Sequence, residues 1–231
     1  FLFLFLPLTL FIYFFLNKRS LDKTSKVFLL ISSLFFYSWW NVVYLPLILL
    51  SMMFNFSIGK YLLKEKNSLK VTKKQTLTIG IIGNLGLLFY FKYSDFFINN
   101  LNFLAGSDLP FLQLALPLAI SFFTFQQIAY LVDTYRGEAQ EYNFLNYSVF
   151  VTFFPQLIAG PIVHHKEMMP QFESLRNKTH DLKNIALGLF IFSIGLFKKV
   201  AIADIFAVWA SNGFDNSDVL TFFEAWATSL S

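Results

Sequence analysis

Residues 27–63 read VFLLISSLFFYSWWNVVYLPLILLSMMFNFSIGKYLL, and none of them carries a charge before Lys60. A helix needs about 20 apolar residues to cross the hydrocarbon of a bilayer, with every backbone hydrogen bond closed inside the segment. This run holds two such crossings joined by a tight turn near Asn41. Trp39, Trp40 and Tyr44 stand where an interfacial aromatic belt is expected. The expected fold is an all-α, polytopic transmembrane helical bundle.

Both ends of the run lead into basic segments. Lys18, Arg19, Lys23 and Lys26 oppose Asp22 on one side, and Lys64, Lys66, Lys70, Lys73 and Lys74 oppose Glu65 on the other. Such loops mark the cytoplasmic face. The next span, Thr76 to Phe91, emerges into a segment whose charges after Lys92 are Asp95 and Asp108, which suits the outer face. The apolar stretch from Leu109 to Val132, despite Pro110 and Pro117, is expected to return the chain inward.

Residues 146–163, NYSVFVTFFPQLIAGPIV, are long enough to span but are interrupted by Pro155 and the Gly160–Pro161 pair. Irregular backbone at membrane depth survives only inside protein or along a cavity, so a re-entrant or broken helix is predicted over 144–162. The last apolar stretch, Ile185 to Ala210, holds Lys198, Lys199 and Asp204 near its middle. Either a helix ends near Lys198 at the interface, or the stretch is no simple lipid-facing crossing.

Composition agrees. Apolar residues make up 56% of the 231 positions and charged ones 14%, against about one quarter charged in soluble domains. With 32 Phe there is more apolar surface than one core hides. The net charge of +4 lies in short loops rather than on one amphipathic face, which argues against a nucleic-acid partner. With no cysteine, a disulfide, a thiolate metal site or a thiol-bound acyl group is excluded here. The chain starts at Phe1 with the run FLFLFLPLTLFIYFFL, has no basic leader before it, and stops within an apolar run. Residues 1–231 are therefore expected to be a single transmembrane domain incomplete at both ends.

No phosphate-cradling GxxxxGK, dinucleotide fingerprint, GxSxG elbow or HExxH helix occurs. Three polar clusters in apolar surroundings remain. In Leu116–Gly137, Ser121, Gln126, Tyr130 and Asp133 recur at helical spacing and so line one side of a cavity, or else form a helix contact and a cap with Asp133 paired to Arg136. In Phe153–Phe172, prolines and a glycine free carbonyls near Gln156, His164 and His165. Adjacent histidines diverge by about 100° on a helix and make a poor chelate, so no metal site is expected. In Gly195–Asp204, Lys198 and Lys199 attract an anionic donor, or mark a helix end.

The blocks FFYSWW, NLGLLFYFKY, LPLAISFFTFQQIAYLVDTYRG, FFPQLIAGPIVHHKEMMPQF and GLFKKVAIAD, in this order, resemble the amino-terminal half of membrane-bound O-acyltransferases, the bacterial alginate O-acetyltransferase type above all. The resemblance runs over nearly the whole chain. It implies a funnel of helices around a channel in the bacterial cytoplasmic (inner) membrane. An acetyl group would pass from a cytoplasmic thioester, acetyl-CoA or an acyl carrier, to an extracellular or periplasmic polysaccharide such as alginate, with a periplasmic or extracellular acetyltransferase as partner. The family's essential histidine lies in a Trp–His motif, and none of His164, His165 or His180 stands beside a Trp. No catalytic residue is therefore expected in this chain, with the family histidine beyond Ser231. Carried over as tunnel or framework are Ser121, Gln126, Tyr130, Asp133, Arg136, Pro155, Gln156, Gly160, Pro161, Lys198 and Lys199, with Pro155 and Lys198 at the cytoplasmic mouth. The rival readings are a transporter or flippase, which calls for paired repeats that this sequence lacks, and a scaffold subunit without chemistry.

Overall fold

The computed structural model describes residues 1–64, 72–158, 160–216 and 220–230. Glu65, Lys66 and Lys70 of the second basic loop lie outside the described residues. The chain forms two compact units, Phe1–Thr179 and His180–Ser231, and all regular structure among the described residues is helical.

The first unit begins with α1 (Phe5–Lys18) and α2 (Asp22–Ser38). The expected turn follows. Asn41 is extended, and its side chain accepts from the Val43 N–H at 2.9 Å, capping a 3₁₀ turn that runs into α3 (Leu45–Leu63). Together Val42–Leu63 is an apolar helix of 22 residues, about 33 Å at 1.5 Å per residue and enough to cross a bilayer. Of the two crossings expected between Val27 and Leu63, this one meets the length and apolarity needed. α2 is shorter and has buried Ser25, Ser32 and Ser33 facing its neighbours.

α4 (Lys73–Lys92) starts at a capping box in which Thr72 and Gln75 satisfy each other's backbone N–H groups. It bends by 68° into α5 (Ser94–Ala105), and the pair counts as a third candidate span if taken as one. The crossing expected over Leu109–Val132 is only half helical. α6 covers Ile120–Arg136, and residues 106–117 are irregular. Pro110 and Pro117 lack the N–H a helix needs. Side chains of α5 also satisfy the loop instead: the Asp95 carboxylate accepts from Leu112 and Gln113 N–H at 2.7 and 3.0 Å, and Asn102 accepts from Leu109 N–H at 2.8 Å.

α6 packs against both α3 and α4, with Phe123, Tyr130 and Leu131 fully buried. The predicted break is present: α7 (Phe144–Thr152) is followed by the single turn α8 (Phe154–Leu157) and then by α9 (His165–Glu173). At nine residues, α7 is about 13 Å long, under half a bilayer.

In the second unit, α10 (Leu182–Phe197), a π-helical turn over Lys198–Ala203 and α11 (Asp204–Asp215) form one apolar helix of 34 residues, followed by α12 (Phe222–Leu230). A helix end at Lys198 is thereby overturned. The π turn explains how the helix carries its charges: it brings residues five apart onto one side, and Lys199 Nζ lies 2.5 and 2.7 Å from the Asp204 carboxylate. Pairing neutralises two charges that an apolar helix tolerates poorly alone.

Candidate functional site

The break in the first unit is built from its own freed backbone groups. Pro155 has no N–H, and at Phe153 (φ −50°, ψ 104°) the backbone leaves the helix. Four bonds hold the stretch, two of them from other elements. The Phe150 carbonyl accepts from Gln126 Nε2 of α6 at 3.0 Å, and Phe154 N–H donates to Ser33 Oγ of α2 at 3.3 Å. Gln156 Nε2 donates to the Pro161 carbonyl at 2.9 Å, and Gly160 N–H to the Gln156 carbonyl at 2.9 Å. The irregular stretch is thus held from within the protein, as hydrocarbon surroundings require.

The three residues after it form a polar clasp onto the last turns of α6 and the α6–α7 connection. α6 ends at Gly137, whose φ of +79° only glycine adopts without strain, and the reversed chain carries Glu138 and Glu141 back past the helix end. His164 Nδ1 lies 2.7 Å from Asp133 Oδ2, His165 Nε2 lies 3.3 Å from Glu141 Oε2, and Lys166 pairs with Glu138. The His165 contact has ion-pair distance without hydrogen-bond alignment, and the ring packs between Tyr130 and Phe150 at centroid distances of 5.7 and 5.2 Å.

Burial pushes the Glu141 carboxyl up, but His165 and the Asn143 backbone N–H outweigh it and hold the group below its ordinary value of 4.5. Hydrogen bonding and charge from Lys166 likewise lower Glu138, and Glu138 raises Lys166. A carboxylate depressed in the fold stabilises it at every pH above the unfolded value and loses that contribution as pH falls through the folded one. The clasp should therefore hold at neutral pH and loosen progressively below about pH 4.5. Melting temperatures measured from pH 7 to pH 3 should fall across that window, and Glu141→Gln should lower the neutral value and flatten the fall. An equally steep acid fall in the variant would mean that Glu141 plays no part.

A second polar assembly lies within the bundle. Asn55 Nδ2 of α3 contacts Asn84 Oδ1 of α4 at 3.0 Å and Gln127 Oε1 of α6 at 2.9 Å, and Asn84 Nδ2 returns a bond to Asn55 Oδ1 at 2.6 Å. Gln127 Nε2 donates to Ser51 Oγ at 3.0 Å, and Tyr147 OH of α7 donates to Gln127 Oε1 at 3.0 Å. Asn55, Gln127 and Tyr147 are fully buried. This layer ties four elements together at one level, which is what interhelical amides do in membrane bundles.

Of the residues singled out in the sequence, Gln126, Tyr130 and Asp133 are buried, and Ser121 is half-buried in the first turn of α6. The pairing of Asp133 with Arg136 is corrected: Asp133 binds His164, and Arg136 is exposed. Gln156 is buried, Gly160 half-buried, and Pro155 and Pro161 exposed at the break. Gln156 also lines an open groove of about 420 Å³ with Phe153, Met168, Gln171, Phe172 and Asn177. Lys198 and Lys199 are exposed in the second unit. Among the described residues no group of three or more His, Cys, Asp or Glu side chains is placed to hold a metal. Asn55, Asn84 and Tyr147 escaped the sequence reading, although a lone amide in an otherwise apolar run is a legible signal of an intramembrane contact.

Large apolar side chains cover the outside, Phe103 at 87% exposure and Phe3 at 97% among them, while the amides face inward. Together with the candidate spans, this inversion defines an integral membrane protein. The chain belongs to the membrane-bound O-acyltransferase family, whose profile matches residues 2–230. Over its whole length it is similar to a Helicobacter pylori protein named peptidoglycan O-acetyltransferase, 48% identical in an alignment of 257 positions that covers 48% of that protein. It is similar also to the probable alginate O-acetylases AlgI of Azotobacter vinelandii, 36% identical over 45% of that chain, and Pseudomonas putida, 37% identical over 47%. The chain spans about half the length of the curated relatives it matches. No solved structure matches it.

Proposed function

We propose that the whole protein is an O-acetyltransferase of the bacterial cytoplasmic membrane, multi-pass, which moves acetyl from a cytoplasmic thioester to a glycan hydroxyl at the outer face. The acyl C–S bond breaks, a C–O ester bond forms, and the proton of the acceptor hydroxyl ends on the released thiol. The donor is acetyl-CoA or an acyl-carrier thioester. Neither crosses hydrocarbon, so a protein path must take the acyl group through. Pro155, Gln156, Gly160 and Pro161 supply fixed irregular backbone in that path, with Gln126, Tyr130 and Asp133 as its support.

One observation carries the choice of acceptor. The 48% identity to a protein named for peptidoglycan exceeds the 36% and 37% identities to the AlgI proteins. Peptidoglycan is therefore preferred to alginate, with a soluble acetyltransferase on the outer side as partner. Deleting the gene for the full-length protein should remove most alkali-labile acetate from purified peptidoglycan, and restoring it should return the acetate. Unchanged peptidoglycan with acetate lost from an exopolysaccharide would sink the acceptor. Acetate unchanged in both, with vectorial uptake by liposomes carrying the protein, would favour a transporter.

A further inference from the structure

Three contacts fix the level at which α5 leaves the bundle. α4 is 20 residues long, about 30 Å at 1.5 Å per residue, which is one crossing by itself. Its Thr76, Gly80 and Asn84 are buried, and Asn84 meets Asn55 near the middle of the Val42–Leu63 span. The far end of α4 accordingly stands beside the start of that antiparallel span, where Phe91 packs edge-on to Tyr44 with ring centroids 6.2 Å apart. Tyr44 OH also donates to the Ala115 carbonyl at 2.5 Å, so the 106–117 loop ends at the same level. Tyr44 in turn stacks on Trp40 at 5.9 Å, and Tyr and Trp gather at the headgroup level of a membrane.

From that level α5 turns aside. Bent by 68°, its length of about 18 Å rises only about 7 Å along the direction of α4. Its two faces differ. Phe97, Leu101 and Leu104 share one of them and are exposed, and Phe97 packs on Phe89, one turn back along α4, at 4.8 Å. That face therefore looks back toward the hydrocarbon. On the opposite face Asp95 and Asn102 hold the loop, accepting from the N–H groups of Leu112, Gln113 and Leu109, while Asn102 Nδ2 donates to the Leu109 carbonyl at 3.0 Å. From Asp108 to Gln113 the backbone is irregular and every residue is exposed. Hydrocarbon does not admit exposed irregular backbone, so this side is wet. We infer that α5 lies along the membrane surface at the end of α4 instead of completing a span, with Phe97, Leu101 and Leu104 set into the headgroup and upper acyl region of a zwitterionic lipid layer. No Lys or Arg occurs between Tyr93 and Tyr135, so apolar area alone seats the helix and anionic lipid adds no attraction. A soluble protein on the same face would need it turned away from the hydrocarbon, against the Phe89–Phe97 contact.

The test measures the depth of nitroxide labels on the full-length protein in lipid nanodiscs, whose two faces are both open to solvent. Residues 1–231 contain no cysteine, and any beyond them is replaced by serine. Labels go singly on Phe97→Cys, Leu101→Cys and Leu104→Cys, and on Asn99→Cys for the wet side. Collisions with oxygen and with a water-soluble nickel complex should place the first three about 5–10 Å below the phosphates and the Asn99→Cys label in water. Depths should be the same in phosphatidylcholine alone and mixed with phosphatidylglycerol. These side chains are exposed, so the labelled proteins should melt like the parent; if a cysteine at Phe97 loosens the Phe89 contact, Leu101 and Leu104 decide. Depth that grows steadily from Phe97 through Asn99 and Leu101 to Leu104 would overturn the assignment and make α4 and α5 one broken crossing. Four labels in water would overturn it too, and leave the face to a soluble partner. Marked deepening with phosphatidylglycerol would overturn the zwitterionic lipid class. None of these readings depends on acetyl transfer, so the proposed function stands or falls separately.

Discussion

Asn55→Asp should be the most damaging isosteric change in the bundle. The side chain keeps its size, so no cavity opens, but the Nδ2 donor that serves Ser51 O, Asn84 Oδ1 and Gln127 Oε1 becomes an oxygen facing three oxygens. Two magnitudes compete. Interhelical hydrogen bonds in membranes average only about 0.6 kcal/mol in double-mutant cycles, which would make the layer minor. A donor or acceptor left unpaired in the interior costs about 1–3 kcal/mol, and a carboxylate at mid-helix in a bilayer adds about 2.5–3.5 kcal/mol. The second pair of terms wins because Asn55 is fully buried in the Val42–Leu63 span and no water reaches it to repair the loss. The expected cost is about 4 kcal/mol, read as unfolding free energy in mixed micelles.

Leucine at the same position should cost less, because it orphans Asn84 Oδ1 without adding a charge. Asn84 Nδ2 keeps the Gly80 carbonyl at 2.8 Å, and Gln127 Oε1 keeps Tyr147 OH. Asn55→Leu combined with Asn84→Leu should recover part of the loss, since removing both partners leaves neither unpaired. An Asn55→Asp protein within 1 kcal/mol of the parent would mean that the layer is solvated and not a buried tie.

What the sequence made legible was local. The charge-free run from Val27 gave the turn at Asn41 and the span behind it, and Pro155 with Gly160–Pro161 gave the break, because each depends on residues a few positions apart. Long-range pairing was not legible. Asp133 has Arg136 one turn away, and helical spacing favours that pair. The fold instead brings His164, 31 residues distant, to 2.7 Å and leaves Arg136 outside. Asn55 meets partners 29 and 72 residues away, a distance at which spacing says nothing. The same holds for Leu109–Ile120: apolarity predicts a helix, while Asp95, 17 residues upstream, captures the N–H groups that would have built it. Fold class and the position of the break were thus readable, whereas the clasp, the amide layer and the groove required the tertiary structure.

Gly160→Ala should separate the break from ordinary packing glycines. A Cβ at Gly160 would lie 2.7 Å from Gln156 Cα and 2.8 Å from the Gln156 carbonyl oxygen, both backbone atoms that no rotamer change moves. At Gly80 the nearest obstacle is Leu131 Cδ1 at 2.6 Å, the end of a flexible side chain, so Gly80→Ala should be absorbed by a small shift. Gly59 is intermediate, because the Tyr130 hydroxyl at 2.6 Å belongs to a ring with no exposed surface to turn toward. Overpacking of this kind costs about 1–3 kcal/mol, which would leave Gly160→Ala folded. Its relief must come from moving the 156–161 turn, and that displaces the Pro161 carbonyl from Gln156 Nε2 and shifts the groove wall that Gln156 forms. A displacement near 1 Å in positioning machinery lowers rate by about a hundredfold. Acetyl transfer by the full-length protein should therefore fall at least tenfold in Gly160→Ala, on that same scale, while Gly80→Ala stays near the parent. Equal activity in the two variants, each folded, would show that the turn at Gly160 is a passive connection and that the transfer path runs elsewhere.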